Sequence, residues 1–283
     1  MIKDKLIYCI IKLGKIHNLY IDVPLNTKSL REFHNWIKKE LIIEYSKKTK
    51  AKTLLDIASG RGGDIIKWSK AGIKFVTGID SDYKSINERI DFDGAIKRYQ
   101  NIKRNSYLPP MKFWNISATD PNVLNLVNSK DSNTIYDIIS CQFAFHYFVK
   151  DIDIVLDLIS KKLKPGGYLI GTASDGDLIK TNLENGDILL PILNIIKTEN
   201  KDDYIYQMLS GKVENESYFD YKGAITEYFL YKNFMIDKCK EYNLELVSIK
   251  NFHEWKKNYK GSVLTIQESI TSFLNFSFVF IKI

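Results

Sequence analysis

A short apolar run from Thr53 to Ala58 ends abruptly at three glycines within four residues, Gly60, Gly62 and Gly63, after which Ile65, Ile66 and Trp68 resume at helical spacing. Strand, glycine loop and helix is the reading. Glycines there let the backbone come close to a ligand, and they confine the chain to folds built on repeated strand-turn-helix units. The unit does repeat. Lys74 to Ile79 reads as a second strand that ends at Asp80, Met111 to Ile116 as a third, Tyr136 to Cys141 as a fourth and Tyr168 to Ala173 as a fifth. A polar helical segment follows Asp80, and Ile152 to Leu163 reads as a helix stopped by Pro165-Gly166-Gly167. Strands alternating with helices predict a mostly parallel sheet covered on both faces.

Ahead of this block, Leu30, Phe33, Trp36, Ile37, Leu41 and Ile42 recur at helical spacing between Ser29 and Tyr45, an amphipathic helix. Beyond Ser174 the alternation weakens. Short segments rich in Tyr, Asn, Asp and Glu, from Asp187 to Tyr228, read as an inserted antiparallel lobe. A helix from Leu230 to Tyr242 and strands at Leu244 to Ile249 and Phe276 to Ile281 then return to the main sheet. The expectation is one α/β domain over residues 1–283 with a mostly parallel seven-stranded sheet. A helix at 29–49 contributes to its sites, and a lobe is inserted at 186–228.

With 283 residues, 45% of them hydrophobic, the chain can bury a core without covalent staples. Cys9, Cys141 and Cys239 are far apart and form no CxxC pair, which argues against a disulfide framework or a zinc cluster and for a reducing, intracellular setting. The apolar stretch Leu6 to Leu13 is interrupted by Lys12 and too short to span a bilayer, so no membrane partner is expected. A net charge of +7 favours polyanionic partners: RNA, DNA or acidic lipid heads.

The loop opens with Asp56 and closes with Asp64, and Asp80 follows at the end of the next strand. An acid there can accept both hydroxyls of an adenosine ribose. Dinucleotide enzymes share that plan, but their G-x-G-x-x-G seats a pyrophosphate at a helix N-terminus. Gly60-Arg61-Gly62-Gly63 flanked by carboxylates suits the ammonium of a methionine moiety and would repel a diphosphate. S-adenosylmethionine is therefore the favoured cofactor, and the fold expected is the Rossmann-like fold of methyltransferases that use it. The blander alternative, a tight turn with Asp80 as a helix cap, does not account for the Leu163-Lys164-Pro165-Gly166-Gly167 turn ahead of the fifth strand, a frequent methyltransferase mark.

Five stretches carry a narrower likeness: Arg31-Glu32-Phe33-His34-Asn35-Trp36-Ile37-Lys38, the Asp56 to Asp64 loop, Cys141-Gln142-Phe143-Ala144-Phe145-His146-Tyr147-Phe148, Pro165-Gly166-Gly167-Tyr168 and Thr226-Glu227-Tyr228. In this order they resemble the cellular and poxviral mRNA cap guanine-N7 methyltransferases, and Gln-Phe-x-x-His-Tyr is specific to that family. The resemblance implies that Lys38 and the Asp56 loop, with Ala58 and Gly60, hold the methionine end, Asp80 the ribose, and Gln142 and Tyr147 the region beside the reactive methyl. Ser117, or Asp120 further on, stands where the family usually has an acid for the adenine amine. For the cap, it implies that Phe143 and Tyr147 shape the guanine pocket, His146 reaches O6 and Glu227 takes the N1 and N2 hydrogens. Arg61, Lys67 and Arg98 match basic positions near the cap phosphates. His34, in place of a family asparagine, lies with Asn35 near the cap ribose, and Asn275 falls about where a cap-contacting tyrosine is common. The capped 5' end of mRNA is the implied partner. Capping-enzyme domains or a stimulatory subunit are further ones, in the cytoplasm for a viral protein or in the nucleus.

Guanine N7 is unprotonated and nucleophilic at neutral pH, so neither a general base nor a metal is required and catalysis by position is expected. The competing readings are a methyltransferase for another RNA position or a small molecule, and a non-catalytic protein that binds cap or RNA as a partner subunit. The Gln142 to Phe148 element joined to Glu227 speaks against a small-molecule enzyme, and the intact Asp56, Gly60 and Asp80 speak against a silent one.

Overall fold

The computed structural model describes residues 27–209 and 223–283; the apolar stretch at 6–13, Cys9 and part of the lobe expected at 186–228 lie outside them. Helix α1 (Lys28–Thr49) buries Leu30, Phe33, Ile37, Leu41, Ile42 and Tyr45 along one stripe, the spacing that 3.6 residues per turn demands.

Strands β1 (Thr53–Ile57), β2 (Phe75–Asp80), β3 (Met111–Asn115), β4 (Tyr136–Gln142) and β5 (Leu163–Ser174) form the parallel part of the main sheet. Helices α2 (Ile65–Lys70), α3 (Tyr83–Asn87), α4 (Ala95–Asn105), α5 (Val123–Asp131) and α6 (Ile152–Lys162) lie between them. With β10 (Leu244–Asn251) and β11 (Asn275–Lys282) the order across seven strands is β10-β11-β5-β4-β1-β2-β3. From β1 the chain winds outward to β2 and β3, and from β4 it winds the other way, so the carboxyl ends of β1 and β4 flank the switch point where open α/β sheets bind ligands. Leu54, Leu55, Val76, Ile138, Ile139 and Ile170 are fully buried, as expected for strands covered on both faces.

Several element boundaries shift by a residue or two, and the largest change has a physical reason. Strand β5 begins at Leu163 opposite Tyr136 and resumes at Tyr168 opposite Ile138 after a register break. Pro165-Gly166-Gly167 is thus a bulge inside the strand rather than a turn before it, with Gly166 at φ 76°. The helix predicted from Leu230 starts two residues later, as α8 (Lys232–Glu241). Four helices had no counterpart in the sequence reading: α5, α7 (Gly176–Leu183), α9 (Phe252–Lys256) and α10 (Ile266–Phe273). Both α9 and α10 open on capping boxes, Asn251 with Glu254 and Thr265 with Glu268, a signal that the sequence did carry.

A second, antiparallel sheet joins β6 (Ile188–Leu190), β7 (Leu193–Lys197), β8 (Asp203–Met208) and β9 (Ile225–Tyr228). The α/β class, the seven-stranded sheet and the antiparallel lobe are all as the sequence predicts. By contact the described residues divide into two compact units: Lys38–Thr172 with Asn233–Ile249 and Phe278–Ile283, and those up to Ile37 with the described part of Ala173–Lys232 and Lys250–Ser277. Among the described residues no helix is long and apolar enough to cross a membrane.

Close packing sets one glycine beyond substitution. A Cβ on Gly171 would lie 2.2 Å from the Cys141 carbonyl and 2.4 Å from Phe278, and a paired backbone oxygen in mid-sheet has nowhere to go. Gly171→Ala is expected to lower stability by about 3 kcal/mol, the upper range for overpacking, measured by urea unfolding.

Candidate active site

Strain and open space coincide at the switch point. Ala58, just past β1, has φ 59° and Phe143, just past β4, has φ 57°, and an L residue in that left-handed region costs roughly 1 to 2 kcal/mol. Such strain persists only where the surroundings enforce it, commonly at a ligand site. Phe143 is held by its N–H donating to the Thr172 carbonyl at 2.9 Å. Cβ atoms built on Gly60 and Gly63 would meet nothing within 4 Å, so the glycine loop borders unfilled space.

A cavity of about 190 Å³ is lined by Ala58, Asp80, Ser117, Thr119, Tyr147 and Asp151, among others. Asp80 bridges loop and cavity: one oxygen accepts from the Gly60 N–H at 2.7 Å and the other from the Asp82 N–H at 2.8 Å. Burial pushes its carboxyl up, and these two bonds work against that. A carboxylate has about four acceptor positions, so two remain for hydroxyls. Ser117 pairs with Thr119 at 2.9 Å, and both border the cavity.

At the loop's other end lies an ionic cluster that the sequence reading did not assemble. Asp64, 5% exposed, takes Lys38 at 2.9 Å and Lys67 at 2.7 Å. Burial alone would raise its carboxyl, but the two ammonium groups outweigh it and hold Asp64 at about 2. Lys67 also donates to the Gly63 carbonyl at 3.1 Å, and burial pulls its ammonium down. Asp56 differs. Its Oδ1 is buried with no hydrogen-bond partner among the described residues, and burial followed by the Asp64 charge pushes its carboxyl well above the ordinary range. A buried acceptor short of a donor, with an ammonium-bearing cluster nearby, suits the two charges of an amino-acid moiety. Cys141 is no nucleophile: burial, then the Asp56 charge, raise its thiol and keep it protonated.

In the same unit Gln142 bonds Ser140 and Thr172, both at 3.2 Å. His146, 2% exposed, sits with its ring 4.3 Å from that of Tyr147 in the 3-10 turn Phe145–Asp151. The Arg98 guanidinium donates to the Arg61 carbonyl, while Arg61 lies 4.0 Å over the Phe92 ring.

The other unit holds the remaining sequence candidates. Glu227 is 2% exposed, and its Oε2 accepts from Tyr204 Oη at 2.7 Å and Ser174 Oγ at 3.1 Å. Tyr204 is fully buried, and burial, then the Glu227 charge, keep it a neutral donor. No motif marks Tyr204; it meets Glu227 only because β8 pairs with β9 in that register. His34 Nε2 shares a hydrogen bond with Ser272 Oγ at 2.9 Å beside Asn35 in α1. Asn275 caps α10 through bonds to the Thr271 and Ser272 carbonyls, both 3.1 Å.

The family described as "mRNA (guanine-N(7))-methyltransferase domain" matches residues 26–269. Among curated relatives, the mRNA cap guanine-N(7) methyltransferase 1 of Arabidopsis thaliana is 32% identical over 238 residues, 81% of this chain and 62% of that protein. The probable mRNA-capping enzyme of Acanthamoeba polyphaga mimivirus is 30% identical over 267 residues, 83% of this chain but 22% of the viral one. In fold, the chain is similar to an S-adenosylmethionine-dependent methyltransferase from Clostridium acetobutylicum, with a TM-score of 0.54 and 15% identity over 97% of this chain and 99% of that one. A likeness of the same degree, TM-score 0.55, holds for the PH0226 protein from Pyrococcus horikoshii.

Proposed function

This chain belongs to the mRNA (guanine-N7)-methyltransferase family, and from that premise we propose that it transfers a methyl group from S-adenosylmethionine to guanine N7 of the mRNA cap. The family match over residues 26–269 is the observation that carries the substrate, because fold likeness speaks only to methyl-transfer architecture. The chain spans about a fifth of the viral capping enzyme and about three fifths of the plant relative, so capping domains supplied elsewhere are natural partners in this proposal. Residues 1–283 act in it as a single methyltransferase domain, with the helix at 29–49 contributing to the sites and 186–228 as its inserted lobe.

The bound cofactor supplies a methyl group made electrophilic by its sulfonium. The chain's residues do the rest by holding. Asp80 takes the ribose hydroxyls, Ser117 borders the adenine, and Asp56 and Lys38 take the ammonium and carboxylate of the methionine end. Gln142 and Tyr147 line the space beside the methyl. Phe143, His146 and Glu227 present guanine with N7 in line, the phosphates falling to Arg61, Lys67 and Arg98, and the ribose to His34, Asn35 and Asn275. N7 needs no deprotonation, so alignment of the reacting groups provides the rate enhancement.

The direct test incubates the protein with labelled S-adenosylmethionine and RNAs ending in GpppA, GpppG or triphosphate. Label is expected in 7-methylguanosine from the capped RNAs alone; label in any other nucleoside would overturn the substrate.

Asp56 adds a pH signature. Its raised carboxyl holds a proton to higher pH in the free protein than it would beside a bound ammonium, so binding releases a proton in the range between the two values. Affinity is therefore expected to rise with pH between the carboxyl's value beside a bound ammonium and its raised value in the free protein, and to level off beyond it. Folding stability of the free protein instead falls as pH rises from about 4, the ordinary carboxylate value of the unfolded chain, to the raised value, because the folded state binds more protons than the unfolded one. Titration calorimetry with S-adenosylhomocysteine in two buffers of different ionisation enthalpy should give different heats, and Asp56→Asn should make them equal. Equal heats for the unaltered protein would remove Asp56 from the ammonium.

A further inference from the structure

Between Asp93 and Asp120 the sequence contains no acid, yet it carries Lys97, Arg98, Lys103, Arg104 and Lys112. The segment builds α4, the loop after it and edge strand β3, all within one unit. Lys97 is neutralised by Asp93 at 2.8 Å, and Arg98 reaches back to the glycine loop. The others face solvent: 103–107 is continuously exposed, and neither Lys103, Arg104 nor Lys112 pairs with a carboxylate among the described residues. Aromatic rings are interleaved with these cations. Lys103 lies 5.3 Å from the Tyr99 ring and Lys112 5.8 Å from Phe75. Tyr107, beside them, is 86% exposed.

We propose that the exposed face of α4, the 103–107 turn and the β3 edge form a track for the single-stranded RNA that follows the cap. Unpaired cations attract a phosphodiester backbone, and an exposed ring next to them offers a stacking platform that needs no particular base. Position supports the same occupant. Arg98 stands with Arg61 at the place read above for the cap phosphates, and Lys103 and Arg104 continue the helix by about 8 Å at 1.5 Å per residue, toward the next phosphates of a chain. The inference rests on the cap reading for that starting point. β3 is the last strand of its sheet, so no neighbouring strand covers the track.

The test compares a GpppG dinucleotide with a GpppG-capped 20-nucleotide single strand, using the unaltered protein, K103E/R104E/K112E and Y107A. The unaltered protein should use the capped 20-mer with a KM at least tenfold below that for the dinucleotide, an advantage that shrinks with salt. The triple variant should lose that advantage while methylating the dinucleotide unchanged, and its log-log salt slope for RNA binding should be shallower by about two, at roughly 0.7 per lost phosphate contact. Y107A should weaken single-strand binding severalfold without touching the salt slope. A triple variant that keeps the advantage, or a Y107A as tight on RNA as the parent, would overturn the track, the latter leaving a face for acidic proteins or membranes instead. Absence of 7-methylguanosine from either substrate would defeat the cap reading separately, because binding of the 20-mer is read independently by fluorescence anisotropy.

Discussion

Asp80→Ala is expected to raise the dissociation constant for S-adenosylhomocysteine at least about a hundredfold and to abolish methylation at ordinary cofactor concentrations. Two effects add. In the proposed site the carboxylate offers the ribose its acceptors, and charge-assisted hydrogen bonds contribute about 1.5 to 3 kcal/mol each. Its bond to the Gly60 N–H at 2.7 Å also fixes the loop that must approach the ligand. Asp80→Asn separates the two, because an amide oxygen still accepts from Gly60 but its NH2 cannot accept from a hydroxyl. An intermediate loss is expected from it. Both variants should fold, with stability lowered by about 1 to 2 kcal/mol at most for the lost loop bond. A dissociation constant within threefold of the parent for Asp80→Ala would remove this residue from the site.

The second large effect concerns base choice. Glu227 is to accept from guanine N1–H and the N2 amine, so Glu227→Ala should lower kcat/KM for capped RNA by roughly ten- to a hundredfold, equivalent to about 1.4 to 2.7 kcal/mol. The signature lies in an inosine cap, which lacks the N2 amine. The unaltered protein should prefer guanosine over inosine, and Glu227→Ala should treat them alike. Tyr204 and Ser174 both point a hydroxyl at the same oxygen, which orients the carboxylate. Tyr204→Phe should therefore reproduce part of the loss through a raised KM with little change in kcat. Thermal melts of all three proteins separate recognition from folding. Unchanged discrimination in Glu227→Ala would refute the guanine assignment.

Several features were decided by the sequence alone, because they depend on near neighbours along the chain. Alternating apolar runs and helical stripes specify the α/β class, and the glycine loop with Asp80 at the end of the next strand marks the side proposed for the cofactor. The order Gln-Phe-x-x-His-Tyr identifies the family. The capping boxes at Asn251 and Thr265 were written in the sequence as well, only in short segments where periodicity is weak.

Other features exist only through long-range packing. Lys162 reads as a surface lysine at the end of a helix, yet it is 1% exposed against fully buried Asp131, 2.8 Å away, with Tyr136 bonded to the same carboxylate. Removing either charge alone would strand the other, so the pair is fixed by tertiary context and not by any local pattern. Asp56 and Asp64 look equivalent as letters flanking the glycines. Only the approach of Lys38 and Lys67 holds one ionised at about 2 while burial pushes the other up. The support of Glu227 by Tyr204 follows from strand register across 23 residues. Local sequence names the groups that can carry charge or donate a hydrogen bond. Burial and distance, which only the folded chain sets, determine which of them are ionised and which are aimed.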